Sequence, residues 1–303
     1  MGEEMKIVKL IKQKFMSQSK PQYKRYTRST AGNVLFFTLL VIAGAFSILP
    51  LIYCFCASLK PMDELLVFPP TIFVKRPTLE NFITLPSVLG SLGIPLSRYF
   101  FNSLLASVAG TIGHIMAASL AAFVFSKSNI KGKHVLFIIV QFALLYNGYT
   151  LAIPQYLIFS KLHIIDTYLV YILPAIPSAM GCFLMKQYID VSVPDSLLEA
   201  ACIDGAGPFK VYAQVVMPIV KPVWMTLFLF SFRDQWSNIS GGTIFSEQLK
   251  TLPQILSTIT AGGIARMGCA MAATVLLLIP PMIVFKITQA NVLETMGHSG
   301  IKE

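Results

Sequence analysis

The sequence predicts an all-α integral membrane protein, and three observations carry that prediction. Of its 303 residues, 55% are hydrophobic and only 13% are charged, where a water-soluble domain sits near about 25% charged. The mean hydropathy is +0.68. Apolar blocks recur along the chain, each long enough for a hydrocarbon core that takes about 20 residues to cross. At this length a bundle of such spans forms one unit after a basic leader, so the expected organisation is residues 1–32 and then 33–303.

Six blocks are expected to span, near Val34–Ala57, Tyr99–Phe125, Val135–Phe159, Tyr168–Ile189, Ile219–Gly241 and Gly268–Ile287. All carry polar or helix-breaking residues, among them Gly110 and Gly113 in the second, Asn147 and Pro154 in the third, and Pro174 and Pro177 in the fourth. Such interruptions survive in a membrane where neighbouring helices or a wet cavity satisfy the freed backbone groups. The bundle therefore reads as one that lines a path.

Lysine and arginine set the orientation. With a cytoplasmic N-terminus, the inside segments hold 16 of the 24 basic residues and the outside segments 7, and Arg233 lies within a span. Both termini are expected inside, with an external loop over 59–97 and a cytoplasmic insert over 190–218. The net charge of +10 suits membrane lipid rather than nucleic acid. Eight of the basic residues precede the first span, where each adds about 1 kcal/mol of attraction to an anionic leaflet.

Several chemistries find no motif. Cys54, Cys56, Cys182, Cys202 and Cys269 form no CxxC pair, and the four histidines form no cluster at ligand spacing, so no metal site is expected. The Gly132-Lys133 pair runs into His134 without the upstream glycine of a phosphate loop. No catalytic residue is assigned, and ATP hydrolysis is not expected on this chain. No internal repeat is visible, which weighs against a stand-alone secondary transporter built from inverted repeats.

Within the insert, "DVSVPDSLLEAACIDGAGPFKVYAQVVMPIVKP" predicts two short helices. Ser192 is the expected cap of the first, with Pro194 and Asp195 in its opening turn. Leu197, Leu198, Ala201 and Cys202 give it one apolar face. Gly205 and Gly207 end it, Pro208 opens the second, and Val211, Tyr212 and Val215 form a second stripe.

The spacing in this stretch is specific. Glu199-Ala200-Ala201, three residues, Gly205, nine residues and Val215-x-Met217-Pro218 resemble the EAA motif of ABC importer permeases, with Val and Met standing for Ile and Leu. The "IDGA" of Ile203–Ala206 resembles the carbohydrate branch. "SLKPMDELLVFPP" (Ser58–Pro70) and "PTLENF" (Pro77–Phe82) are similar to the first external loop of the maltose-type second permease. "FRDQWSN" (Phe232–Asn238) and the tail "GHSGIKE" resemble further signatures of that group. Gly207 departs from the usual Ser or Asn, and Ser237 intervenes before Asn238.

The resemblance implies a six-transmembrane-helix type I ABC importer permease fold in a bacterial plasma (inner) membrane. It implies a transport subunit and not an enzyme. The chain would pair with a second permease as a heterodimer. Two ATP-binding subunits would carry ATP and Mg, and an extracellular solute-binding protein would deliver a sugar or oligosaccharide. By the same likeness Glu199, Ala200, Ala201, Asp204 and Gly205 form the ATPase-coupling surface. A permease for a non-sugar solute in the same fold is the nearest alternative.

A second group lies in the fifth span. Arg233 is twelve residues from Lys221, or roughly 18 Å along a helix, a depth at which a charge costs at least about 2.5–3.5 kcal/mol unless it faces protein or water. At about 100° per residue, Arg233, Asp234, Ser237, Asn238, Ser240 and Gly241 share one arc, with Trp236 beside it. This arc is the expected substrate pathway, Trp236 offering a face to a pyranose ring and Asn238 bonding hydroxyls. Tyr146, Asn147 and Tyr149 in the interrupted third span are further pathway candidates.

Overall fold

The computed structural model describes residues 30–90, 93–146, 148–239, 242–263 and 266–300. The basic N-terminal leader up to residue 29, Asn147, Ser240 and Gly241, and residues 301–303 of the tail lie outside them. The described residues are helical or irregular, with no strand among them. Two compact units divide at Ile52 and Tyr53.

The first unit is described from Thr30 and consists of most of helix α1 (Thr30–Ser58). Its large apolar side chains from Val34 to Ile52 are exposed, and its described residues, 30–52, include no acidic or basic one. Such a surface is stable in lipid and not in water.

The second unit begins with the end of α1. The region expected as an external loop holds two helices, α2 (Met62–Leu65) and α3 (Glu80–Gly90). Its turns are fixed by buried charge. The Glu64 carboxylate accepts from the backbone N–H of Lys75 at 2.9 Å and of Arg76 at 3.3 Å, while Lys60 Nζ donates to Thr71 Oγ1 at 3.0 Å. Asn81 Nδ2 donates to the carbonyls of Ser58 at 2.9 Å and Lys60 at 2.7 Å, closing the end of α1 that lacks intrahelical partners.

Helix α4 (Leu96–Lys127) follows as one unbroken element of 32 residues. The third apolar block is not one helix. It divides into α5 (Lys133–Ala143) and α6 (Ala152–Lys161), with a 3₁₀ turn at Gly148–Leu151 between them. Pro154 falls in the first turn of α6, the position where its missing N–H leaves nothing unpaired. The fourth block holds α7 (Leu169–Ile172), a 3₁₀ turn and then α8 (Ala179–Ser192). Pro174 and Pro177 remove two successive donors from a continuous ladder.

The insert forms α9 (Asp195–Ile203) and α10 (Pro208–Ile219), the latter containing a π turn at Tyr212–Val216. Helix α11 (Lys221–Trp236) leaves α10 at 80°. Helices α12 (Leu252–Ala261) and α13 (Met267–Gly300) complete the chain. Among the described residues four segments are long and apolar enough to cross a membrane, α1, α4, Leu169–Ser192 and α13, with a fifth if α10 and α11 count together.

Helix α4 packs against α8 and α11, and α11 against α13. One core joins α3, α4, α12 and α13 through Leu85, Tyr99, Leu252, Ile255 and Ala270. Another joins α4, α8, α10 and α11 through Ala122, Met185, Ile189, Val216 and Val223. Contact with α4 is close because it is small there. A Cβ on Gly113 would stand 2.9 Å from Ile176 Cγ1, so a larger residue would displace the break between α7 and α8.

The turn between α6 and α7 is tied to the one between α11 and α12. Asp166 accepts from the N–H of Phe245 at 3.0 Å, the N–H of Ser246 at 2.8 Å and the Ser246 hydroxyl. The Ser246 hydroxyl first, then these two amides, hold the Asp166 carboxyl below the usual carboxylate range. A lowered folded pKa makes the tie fully present above about pH 4, the unfolded value, and lost as pH falls through the folded one. Amide exchange over 242–249, corrected for intrinsic rates, should therefore stay slow from neutral pH to about pH 4, and Asp166→Asn should speed it throughout. Loosening of the wild-type segment already near neutral pH would count against this tie.

Candidate functional site

Two places carry the candidate residues. The first is the insert. Helix α8 runs through Ser192, so Ser192 does not cap α9 as expected. Val193 is extended, and Pro194 occupies the cap position without a side-chain bond. Asp195 then opens α9, close to the positive end of its dipole.

Glu199, Ala200 and Ala201 lie in α9, Asp204 is its C-terminal cap residue, and Gly205 follows with φ +79°. That left-handed conformation is the one glycine adopts without steric cost. The N–H of Gly205 donates to Cys202 O at 3.0 Å and that of Ala206 to Ala201 O at 3.0 Å, so the bend closes the carbonyls of the last turn. A Cβ on Gly205 would meet nothing within 4 Å. The space beside the bend is open, and the conformation alone demands glycine.

The outer face of the insert sets two large apolar side chains among exposed Glu199, Asp204 and Lys210. Ile203 is 85% exposed and Phe209 74% exposed, one on each side of the bend, and Cys202 is an exposed free thiol. Its inner face is anchored to α4. Tyr212 Oη and Ser119 Oγ are 2.7 Å apart and buried, and the Tyr212 ring lies 5.6 Å from that of Phe123.

The second place is the last turn of α11. Arg233, Asp234, Ser237 and Asn238 are exposed, as one arc should be. Trp236 is not a free platform. It is 2% exposed, stacks on Phe232 at 5.7 Å, meets Phe100 edge-on at 5.7 Å, and donates its indole N–H to Leu277 O at 2.9 Å. Its position in the helical wheel put it beside the polar arc, but its size and its donor find partners in α4 and α13.

Arg233 lines two clefts against α13, one of ≈ 810 Å³ that also holds Lys286 and Gln289, the other of ≈ 510 Å³ reaching Ser257, Thr260 and Thr274. Among the described residues neither Arg233 nor Lys286 pairs with a carboxylate. Asp234, the next residue, points to a different side of the helix from Arg233, as helix geometry requires.

The structure does not join the third-span candidates to this arc. Tyr146 is exposed in the break between α5 and α6. Tyr149 lies in the 3₁₀ turn, and Asn147 is outside the described residues. The break borders a separate cleft of ≈ 780 Å³ lined by Gly148, Leu151 and Pro177, which shares no lining residue with those at Arg233.

Sequence reasoning passed over Lys127, Ser119, His114 and Lys286. The first two had a visible signal, since Ser119, Phe123 and Lys127 recur every four residues on one helix face. Among the described residues no group of three or more His, Cys, Asp or Glu side chains could hold a metal ion.

Known proteins match this arrangement along nearly its whole length. The arabinooligosaccharides transport system permease protein AraQ of Bacillus subtilis is 25% identical over 291 residues, 95% of this chain and all of that one (100%). The inner membrane ABC transporter permease protein YcjP of Escherichia coli is 23% identical, covering 91% and 98%. The sn-glycerol-3-phosphate transport system permease protein UgpE of Escherichia coli is 27% identical, covering 83% and 91%.

Among solved structures, a bacterial ABC transporter involved in the import of the acidic polysaccharide alginate shares the fold. Its TM-score is 0.73 at 21% identity, over 87% of this chain and 98% of that chain. Residues 76–296, from the turns before α3 into α13, match the family described as binding-protein-dependent transport system inner membrane component, and the chain belongs to that family.

Proposed function

We propose that this chain is the membrane permease of an ATP-driven bacterial importer for a sugar or oligosaccharide. It crosses the plasma membrane six times with both termini cytoplasmic, α5 and α6 together serving as the third span and α11 as the fifth. It pairs with a second permease, receives solute from an extracellular binding protein, and is driven by two ATP-binding subunits that carry ATP and Mg.

The observation that carries this reading is the insert. A nine-residue helix, a glycine bend in left-handed geometry and an opposed short helix present exposed Ile203 and Phe209 beside open space. A protruding tip that exposes large apolar side chains beside Glu199 and Asp204 suits docking to another subunit. The cargo class is supported by one relative named for arabinooligosaccharides, beside another named for sn-glycerol-3-phosphate, and by a fold neighbour described in complex with an alginate pentasaccharide-bound periplasmic protein.

Glu199, Ala200, Ala201, Asp204 and Gly205 form the coupling surface in this account. Arg233, Asp234, Ser237 and Asn238 line the solute path, and Trp236 positions their turn by packing. Tyr146, Asn147 and Tyr149 flank the path at the third-span break. Arg233 and Lys286, facing one cleft without a carboxylate partner among the described residues, favour a cargo that carries its own carboxylate.

Three variants test these assignments. Gly205→Glu should leave the complex assembled and hydrolysing ATP while uptake falls at least about tenfold, because a side chain there both strains the bend and fills the partner's space. Undiminished uptake in that variant would remove Gly205 from the coupling surface. Trp236→Ala should lower stability by roughly 3–5 kcal/mol in thermal unfolding of the detergent-solubilised chain. Arg233→Gln should stay within about 0.5 kcal/mol and selectively slow uptake of uronic oligosaccharides. Equal rates for neutral and uronic sugars in both wild type and variant would exclude Arg233 as a selector.

A further inference from the structure

The two ends of the insert meet α4 on one stripe. Ser119, Phe123 and Lys127 are spaced by four, so they stand above one another on a single face. Ser119 holds the α10 arm through the Tyr212 hydroxyl at 2.7 Å. Phe123 supports the same arm through the Tyr212 ring.

Lys127, at the end of that stripe, holds the other arm. Its Nζ donates to the carbonyl of Val193 at 2.7 Å and to Asp195 Oδ1 at 2.7 Å. The lysine side chain is only 10% exposed, against 79% for that of Asp195. A largely buried ammonium with two short oxygen partners is costly to disturb, since removing one partner leaves the rest desolvated.

The place it grips is the hinge. Val193 and Pro194 are the two extended residues between α8 and α9; the Val193 side chain is buried in the core shared by α4, α8, α10 and α11, and Pro194 has no N–H to donate. Val193 O would otherwise be an orphan carbonyl at a helix junction. Lys127 closes it and, through Asp195, sets where α9 starts.

We propose that Lys127 is the positioning residue of the coupling insert, fixing the angle at which α9 leaves the bundle, so that force applied to α9 is delivered to α4. The proposal rests on the reading of α9 as the helix gripped by the ATPase. Motion of the insert then reaches the spans first through the polar stripe of α4, before the chain connection into α11.

The test uses the complete importer in liposomes, with four readouts: assembly, basal ATP hydrolysis, hydrolysis stimulated by loaded binding protein, and solute taken up per ATP. Lys127→Met should assemble and keep basal hydrolysis, while uptake per ATP falls about tenfold, the scale of a lost charge-assisted hydrogen bond. Lys127→Arg should restore at least half, and Lys127→Gln, which keeps a donor for Val193 O without the charge, should lie between.

Should Lys127→Met fail to assemble, the comparison of Arg with Gln at equal assembly decides. A graded loss supports the proposal, and wild-type uptake per ATP in both overturns it, as does wild-type coupling in Lys127→Met. Wild-type complex in which hydrolysis never responds to loaded binding protein would instead defeat the underlying reading of α9.

Discussion

A backbone group left without a partner in hydrocarbon costs several kcal/mol, and helix α4 is where this chain meets that constraint. It is a long unbroken helix beside several broken ones, and it sends polar side chains to four of their irregular stretches. Asn102 Nδ2 donates to the carbonyls of Gln248 at 2.8 Å and Lys250 at 2.9 Å, and Ser103 Oγ accepts from Leu252 N at 2.8 Å. Further along, His114 Nδ1 donates to Ala175 O at 3.2 Å, where the fourth block departs from α geometry. Ser119 meets the π turn of α10, and Lys127 the extended hinge before α9.

This arrangement explains how a bundle so interrupted stays ordered without becoming rigid. Four of the irregular stretches, before α12, at Ala175, at Tyr212 and at Val193, keep their turns with a partner on α4. Gly110 and Gly113 let the 3₁₀ break approach α4 closely, so the ties are short. A displacement of α4 would move the turns around Gln248, the break at Ala175 and both arms of the insert together. Such a shared strut is what an importer needs if hydrolysis on one side is to be felt at the solute path on the other.

Much of the insert was legible in the sequence, because its signals are local. Pro208, Gly205 and the apolar spacing of Leu197, Leu198 and Ala201 act within a few residues, and the helices formed where those signals stand. Ser192 misled because capping depends on where the preceding helix stops, and α8 did not stop before it. Trp236 misled for a related reason. A helical wheel ranks residues by angle, but whether an indole faces a path or a neighbour depends on Phe100 and Leu277, far away in sequence. The division of the third block was signalled by Asn147 and Pro154 and yet read as a tolerated interruption. Lys127 was counted for its charge alone, since its partners lie 66 and 68 residues away.

The central claim is that the tip of the insert is covered by an ATP-binding subunit at the cytoplasmic face. Cys202, exposed on α9, is a native reporter there. In a chain with Cys54, Cys56, Cys182 and Cys269 replaced by alanine, a membrane-impermeant maleimide applied to inside-out vesicles should label Cys202 quickly when the ATP-binding subunits are stripped away. Their return should slow that labelling by at least about tenfold, as burial of an exposed thiol demands. Labelling at one rate with and without those subunits, or labelling only from the opposite face, would contradict the account.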